Sequence, residues 1–198
     1  MVSRRSFIKG AIAGGATVSA ASYLFRNSGA ALGQAPAPGA AERLLALNVN
    51  GQLRHVDVPK EETLALTLRN RLGLTGTKVG CQRAECGSCT VLIDAVPHYS
   101  CSVLTHSVRS RQIATIEGLA SPTGALHPVQ QAAIDQQGFQ CGFCAPGFIM
   151  ATVGFLKTNP SPTRDELAEG IAGNLCRCQD YDKILTAMMS AAEHARRS

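Results

Sequence analysis

The sequence contains no tryptophan, and aromatic residues fill only 5% of its 198 positions. Charged side chains are also few, at 17%, with 45% apolar residues beside them, which excludes a disordered polyelectrolyte. No apolar run reaches the ~20 residues that a membrane-spanning helix needs. The first 33 residues lack acidic side chains altogether, although they carry Arg4, Arg5, Lys9 and Arg26. That local excess accounts for most of the formal charge of +5, because the remainder holds 15 basic and 14 acidic residues. No basic stripe is left for nucleic acid, so none is expected as a partner. What remains is ordinary globular material, long enough for one domain or two small ones, with a mean hydropathy of +0.04 and eight cysteines.

The N-terminal stretch reads as an address. Ser3-Arg4-Arg5-Ser6-Phe7-Ile8-Lys9 precedes a weakly apolar segment, 11–25, and a tail of small residues. Adjacent arginines with Phe two positions on, then Lys, resemble a twin-arginine export signal, and the Gly/Ala-rich segment suits that route. Ala31-Leu32-Gly33 and Ala35-Pro36-Ala37 both offer a cleavage site, and an uncleaved signal would be the chain's one link to a membrane. The expected location is therefore the periplasm, reached as a folded protein already carrying its cofactor. Eight cysteines in an oxidising compartment would ordinarily suggest disulfides, so their spacing has to arbitrate.

Cys81-x4-Cys86-x2-Cys89-x11-Cys101 has the plant-type 2Fe–2S spacing. A tight loop lets three thiolates converge while backbone N–H groups point at sulfur, with Gly80, Gly87 and Ser88 keeping that loop compact. Zinc sites are usually built from C-x2-C pairs, and disulfides within 81–89 would close strained small rings. The second quartet, Cys141-x2-Cys144-x31-Cys176-x1-Cys178, is ambiguous by spacing alone: it could hold zinc or form a redox pair.

Gly138-Phe139-Gln140-Cys141-Gly142-Phe143-Cys144, followed by Gly173-Asn174-Leu175-Cys176-Arg177-Cys178, resembles the second cluster motif of the molybdenum hydroxylases. These are the xanthine dehydrogenases and aldehyde oxidoreductases, and the likeness is to their separate small iron–sulfur subunit. It spans about residues 42–198 and uses all eight cysteines. The resemblance implies two 2Fe–2S clusters, held by Cys81, Cys86, Cys89 and Cys101 and by Cys141, Cys144, Cys176 and Cys178. It also implies that molybdopterin lies in a separate large subunit, with Gln140 and Cys178 facing the pterin. Ala84 stands where many relatives have Gly, and Asp94-Ala95 where the family often has Asn/Asp-Gly. An Ala at position 84 argues against a left-handed backbone there.

The fold expected is α+β: a β-grasp 2Fe–2S ferredoxin-like domain followed by a four-helix 2Fe–2S-binding domain. Residues 1–41 are assigned to signal and linker, 42–118 to the first domain and 119–198 to the second. Leu44–Val49 and Leu53–Val58 flank Asn50-Gly51 as a hairpin, Thr63–Leu72 reads as a short helix, and Thr90–Ile93 and Gln112–Ile116 as strands. Helices are expected at Pro128–Gln137, Pro146–Lys157, Thr163–Ala172 and Tyr181–Arg196, with Thr163 and Glu166 forming a capping box. The five scattered histidines suit surface or capping roles, and Arg177 suits either a partner contact or solvation of the site.

No nucleophile, base or substrate pocket is evident, so no catalytic residue is assigned. The chain is expected to relay electrons from the molybdopterin of its large partner to an FAD-binding subunit, a cytochrome c or another acceptor, during aldehyde oxidation first of all. The alternatives are a subunit of an N-heterocycle hydroxylase of the isoquinoline type and a free-standing ferredoxin-like carrier.

Overall fold

The computed structural model describes residues 44–195, which lie in one compact unit. The expected signal and linker at 1–41, and Arg196 at the end of the final expected helix, fall outside the described residues. Among the described residues, no helix is long and apolar enough to cross a membrane.

Strands β1 (Leu44–Val49) and β2 (Gln52–Asp57) pair antiparallel around Asn50-Gly51. Both turn residues have positive φ, as a two-residue hairpin requires. β1 alternates, sending Leu45, Leu47 and Val49 into the core. A helical turn α1 (Leu64–Leu66) then runs into a wider π-type turn at Thr67–Arg71, closed by Leu72 N–H on the Thr67 carbonyl at 3.1 Å. Leu64 and Leu68, four apart, pack beneath the sheet.

Strands β3 (Thr90–Ile93), β4 (Val96–Tyr99) and β5 (Gln112–Ala114) complete a mixed sheet in the order β2-β1-β5-β3-β4, with β1 and β5 parallel. β4 is absent from the sequence reading. Pro97 and His98 disguise it, and its two-residue turn is Asp94-Ala95, with φ of 50° and 69°. Ala has no intrinsic liking for that region. Here Asp94 supplies the compensation, accepting from Gln112 N–H at 2.8 Å and from Arg111 Nε at 2.6 Å. β5 ends two residues earlier than expected because the Thr115 N–H turns aside to Asn50 Oδ1 at 2.8 Å.

Four helices follow: α2 (Pro128–Asp135), α3 (Ala145–Thr158), α4 (Arg164–Gly170) and α5 (Tyr181–Ala195). α2 stops short of Gln137, whose φ of 48° ends it. His127 caps it, its Nδ1 accepting from Val129 N–H at 3.2 Å. Thr163 and Glu166 form the capping box of α4 as expected, the Glu166 carboxylate accepting from Thr163 N–H at 2.7 Å. α3 is apolar almost throughout and packs between the other helices and the sheet. β3 is consequently buried on both faces: Val91 and Ile93 join the core beneath the sheet, and Leu92 joins the helical core. This doubly covered strand is the junction between the two halves.

Candidate functional site

The structure gathers each quartet into two close pairs. In the first, the Cys81 thiol lies beside Cys86, and Cys89 beside Cys101. In the second, Cys141 lies beside Cys178, and Cys144 beside Cys176. Two thiols at each of two adjacent positions is the donor set that a two-iron cage needs.

The 81–89 loop folds around its own sulfurs. The N–H groups of Arg83 and Glu85 point at Cys81 Sγ, each at 3.5 Å, and Ala84 N–H at Cys101 Sγ, at 3.4 Å. Ala84 does adopt a left-handed backbone, with φ of 58°, against the expectation from its side chain. The missing glycine therefore leaves that turn in place, and its N–H still reaches a sulfur. At Gly80 the fit is tight, since a Cβ there would stand 3.1 Å from Cys86 Sγ and the sulfur would have to give by a few tenths of an ångström. Gly87 serves a different purpose: a Cβ there would meet the Asn174 amide at 2.5 Å, on the helical side.

Within each quartet, surroundings separate the thiols. The backbone donors at Arg83 and Glu85 bring the Cys81 thiol down to about 6. The Phe143 N–H likewise draws down exposed Cys141. Burial pushes Cys89 and Cys144 up to about 12. A thiolate at either buried position needs a cation beside it, which iron supplies. Cys144 also directly precedes α3, where the helix dipole favours negative charge on sulfur.

The quartets open onto one shared groove of about 660 Å³, whose walls include Cys81, Cys86, Cys141, Cys144 and Cys176. Phe143 and Arg177 line it as well. A direct backbone hydrogen bond connects the two cluster segments, Leu175 N–H to the Cys86 carbonyl at 3.0 Å. It joins a first-quartet residue to the neighbour of Cys176 in the second. Around it, the buried Asn174 amide donates to the Gly87 carbonyl at 2.9 Å, and Tyr99 Oη donates to the Gly173 carbonyl at 2.9 Å. Gly147 of α3 meets the Gly87 carbonyl so closely that no Cβ fits between them. The Tyr181 hydroxyl accepts from Cys176 N–H at 3.0 Å.

All eight cysteines stand out in the sequence, whereas Asn174, Gly147, Tyr99 and Tyr181 have no role legible there. Gly173-Asn174-Leu175 stands in a quoted motif, which is the one available signal. Gln140 is exposed, and its Nε2 donates to Asp180 Oδ1 at 3.3 Å. Cys178 is half-buried.

Residues 47–114 match the family described as a 2Fe–2S iron–sulfur cluster binding domain, and residues 115–189 match the family described as a 2Fe–2S binding domain. The nicotine 6-hydroxylase small subunit of Paenarthrobacter nicotinovorans is 43% identical over 155 residues, 78% of this chain and 93% of that one. The aldehyde oxidoreductase iron–sulfur-binding subunit PaoA of Escherichia coli O157:H7 is 38% identical over 206 residues, covering 96% of this chain and 88% of its own. A chain of the quinoline 2-oxidoreductase structure from Pseudomonas putida 86 superposes with a TM-score of 0.74 at 40% identity, covering 79% of this chain and 99% of that one.

The chain belongs to the iron–sulfur small subunits of the molybdenum hydroxylases. As such a subunit it carries two 2Fe–2S clusters, and molybdopterin lies in the partner subunit of these enzymes. The two thiol quartets described above are the residues that fit them, two pairs apiece. The small subunit's own groups place thiols, backbone donors and a hydrogen-bonded seam. In these enzymes catalysis lies in the partner subunit.

Proposed function

We propose that this subunit relays electrons from the molybdopterin of a large partner through its helical half first and its ferredoxin-like half second, delivering them to an FAD-binding subunit or a cytochrome c. A 2Fe–2S cluster supplies one-electron oxidation and reduction when bound. The chain's own contribution is to hold the two quartets on one groove with a hydrogen bond between their backbones. That bond, Leu175 N–H to the Cys86 carbonyl, is the observation that carries the reading, since a simple carrier needs neither a second quartet nor a seam. Gln140 and Cys178 face the pterin in this reading, and the exposure of Cys141 and Gln140 agrees with a face left open for a partner. Arg83 and Glu85, also exposed, flank the first quartet, which this reading makes the exit side.

Aldehyde oxidation in the periplasm is the substrate and place we favour. The match to the PaoA subunit extends over 96% of this chain, which takes it into the segment carrying Arg4 and Arg5. A second reading, hydroxylation of an N-heterocycle, is favoured by the relatives named for nicotine and quinoline, which this chain covers almost end to end. Rapid-freeze EPR of the complex purified with its large subunit tests the order. Cys101→Ser should leave the helical signal reducible by substrate and stop delivery to the acceptor; a complex with molybdenum present but neither signal reduced would reverse the order. Benzaldehyde and quinoline, offered separately to the wild-type complex, decide the substrate class. Replacing Arg4 and Arg5 by Lys should hold the protein in the cytoplasm, and export of that variant with its clusters would refute the twin-arginine route.

A further inference from the structure

Asp180 is 9% exposed, and its Oδ2 is buried without a hydrogen-bond partner. Its Oδ1 accepts from Gln140 Nε2 at 3.3 Å. One carboxylate oxygen also lies within 4.8 Å of the sulfurs of Cys176 and Cys178. An acid held so dry, and beside electron-rich sulfur, is costly where it stands. Its directed side-chain contact is with Gln140, across 40 residues of sequence.

That contact has a polarity. The NH2 end of the Gln140 amide is the end that faces Asp180, and Oδ1 accepts from it. The carbonyl Oε1 is then the end turned away from Asp180. Gln140 is otherwise unconstrained in this respect: it is exposed and lines an open cavity of about 750 Å³ whose other walls include Phe139, Ile149 and Lys183. An isolated surface glutamine would present its oxygen and its nitrogen outward with nearly equal ease.

We propose that Asp180 is a positioning residue which fixes the Gln140 amide, so that this face offers a hydrogen-bond acceptor to an N–H donor on the partner-held pterin. The proposal rests on the reading that Gln140 faces the pterin. It adds the residue that decides what Gln140 presents. The bond also fastens the segment carrying Cys141 to the loop carrying Cys176 and Cys178, so a purely structural clasp is the competing explanation and the test must separate them.

The test uses the complex of this chain with its large subunit. It reads three quantities: pterin retained after gel filtration, reduction of both EPR signals by whichever of benzaldehyde and quinoline the wild-type complex oxidises, and reduction by dithionite. Gln140→Glu removes the donor and sets two acids face to face, so substrate-driven reduction should slow about five- to tenfold, with dithionite reduction unchanged. Asp180→Asn added to that variant rebuilds the pair in reverse. The amide now at position 180 donates to the carboxylate now at position 140, whose other oxygen remains an outward acceptor. The rate should then return to within about twofold of wild type. Failure of the double variant to improve on Gln140→Glu, with both EPR signals intact, overturns the proposal. So does recovery in Gln140→Lys/Asp180→Asn, because a lysine restores a clasp to the amide oxygen at 180 while presenting no acceptor. Gln140→Ala is the control for the underlying reading: wild-type retention and rate in that variant would mean that Gln140 does not face the pterin. A slowed Gln140→Ala without rescue by the reversed pair refutes the role of Asp180 alone.

Discussion

In the ferredoxin-like half, three thiols come from nine consecutive residues, 81–89, and Cys101 follows one hairpin later. In the helical half, two thiols come from the turn before α3 and two from the loop before α5, with 31 residues between Cys144 and Cys176. The first quartet is closed by its own loop, whose backbone N–H groups already point at sulfur. The second has the Phe143 N–H at Cys141 but brings its two pairs together by tertiary packing, and part of that packing is the other half of the molecule. Leu175, Asn174 and Gly147 all lean on the backbone of Cys86 and Gly87. Dependence between the sites should therefore run one way. The helical cluster needs the seam, while the ferredoxin-like cluster needs mainly its loop.

Removing a ligand from each half gives the largest effect and the most direct trial of that asymmetry. Cys144→Ser should abolish the helical EPR signal and halve the iron content while sparing the other signal. Cys86→Ser takes out its own cluster and, by loosening the loop that receives Leu175, should broaden or shift the helical signal too. Equal and independent losses from the two changes would show that neither site leans on the other.

Gly147→Ala attacks the seam without touching a ligand. Its Cβ would meet the Gly87 carbonyl and stand 2.9 Å from Ser88 Cα, and backbone on both counts cannot swing aside. Overpacking of this kind costs about 1–3 kcal/mol. The expected result is a lower melting temperature, a disturbed helical signal and slower electron transfer between the two clusters. An unchanged melt with both signals normal would place the seam elsewhere.

The same contrast explains what is legible from the sequence. Local order leaves local marks. Asn50-Gly51 announces its hairpin, Thr163 and Glu166 their helix start, and 81–89 its cluster, because turn chemistry, caps and ligand spacing act within a few residues. β4 escapes because its turn is stabilised by Asp94 reaching Arg111 and Gln112, a contact that no dipeptide code contains. The intrinsic preference of Ala84 misleads, because tertiary context holds it left-handed. Asn174 and Asp180 escape for the same reason: their roles lie in partners 87 and 40 positions away. The second quartet is ambiguous by spacing since its two pairs meet only after folding.

Asn174→Ala sharpens the comparison with a smaller effect. The Gly87 carbonyl that it serves also accepts from Thr90 N–H at 3.0 Å and Thr90 Oγ1 at 2.6 Å, so no acceptor is orphaned. The loss should be near one buried hydrogen bond, about 1 kcal/mol, measurable by urea denaturation. It should fall on the helical side, since the Thr90 contacts hold the ferredoxin-like loop without Asn174. A selective perturbation of the first signal would contradict this.

Glu62→Gln, in the ferredoxin-like half and remote from the seam, should change stability alone, and least of all. The Glu62 carboxylate accepts from Arg71 Nε at 2.6 Å, from Arg71 Nη2 at 2.8 Å and from buried Thr67 Oγ1 at 2.7 Å. The Arg71 hydrogen bond is the chief cause that holds its pKa below the ordinary carboxylate range, with Thr67 assisting and partial burial opposing. A depressed folded-state pKa means that the unfolded chain binds the proton more readily. The stabilisation is therefore complete above the usual glutamate value near 4.5 and disappears as pH falls through the lower value of the folded protein. Gln keeps one acceptor for Arg71 and loses the charge, so the deficit at neutral pH should be about 1 kcal/mol or less for a partly exposed pair. Melting curves of wild type and variant should thus lie apart at pH 7 and draw together on acidification, with both EPR signals identical throughout. A gap that is constant with pH would show that the carboxylate acts by shape rather than charge. A change in either signal would extend the reach of this half beyond its own loop.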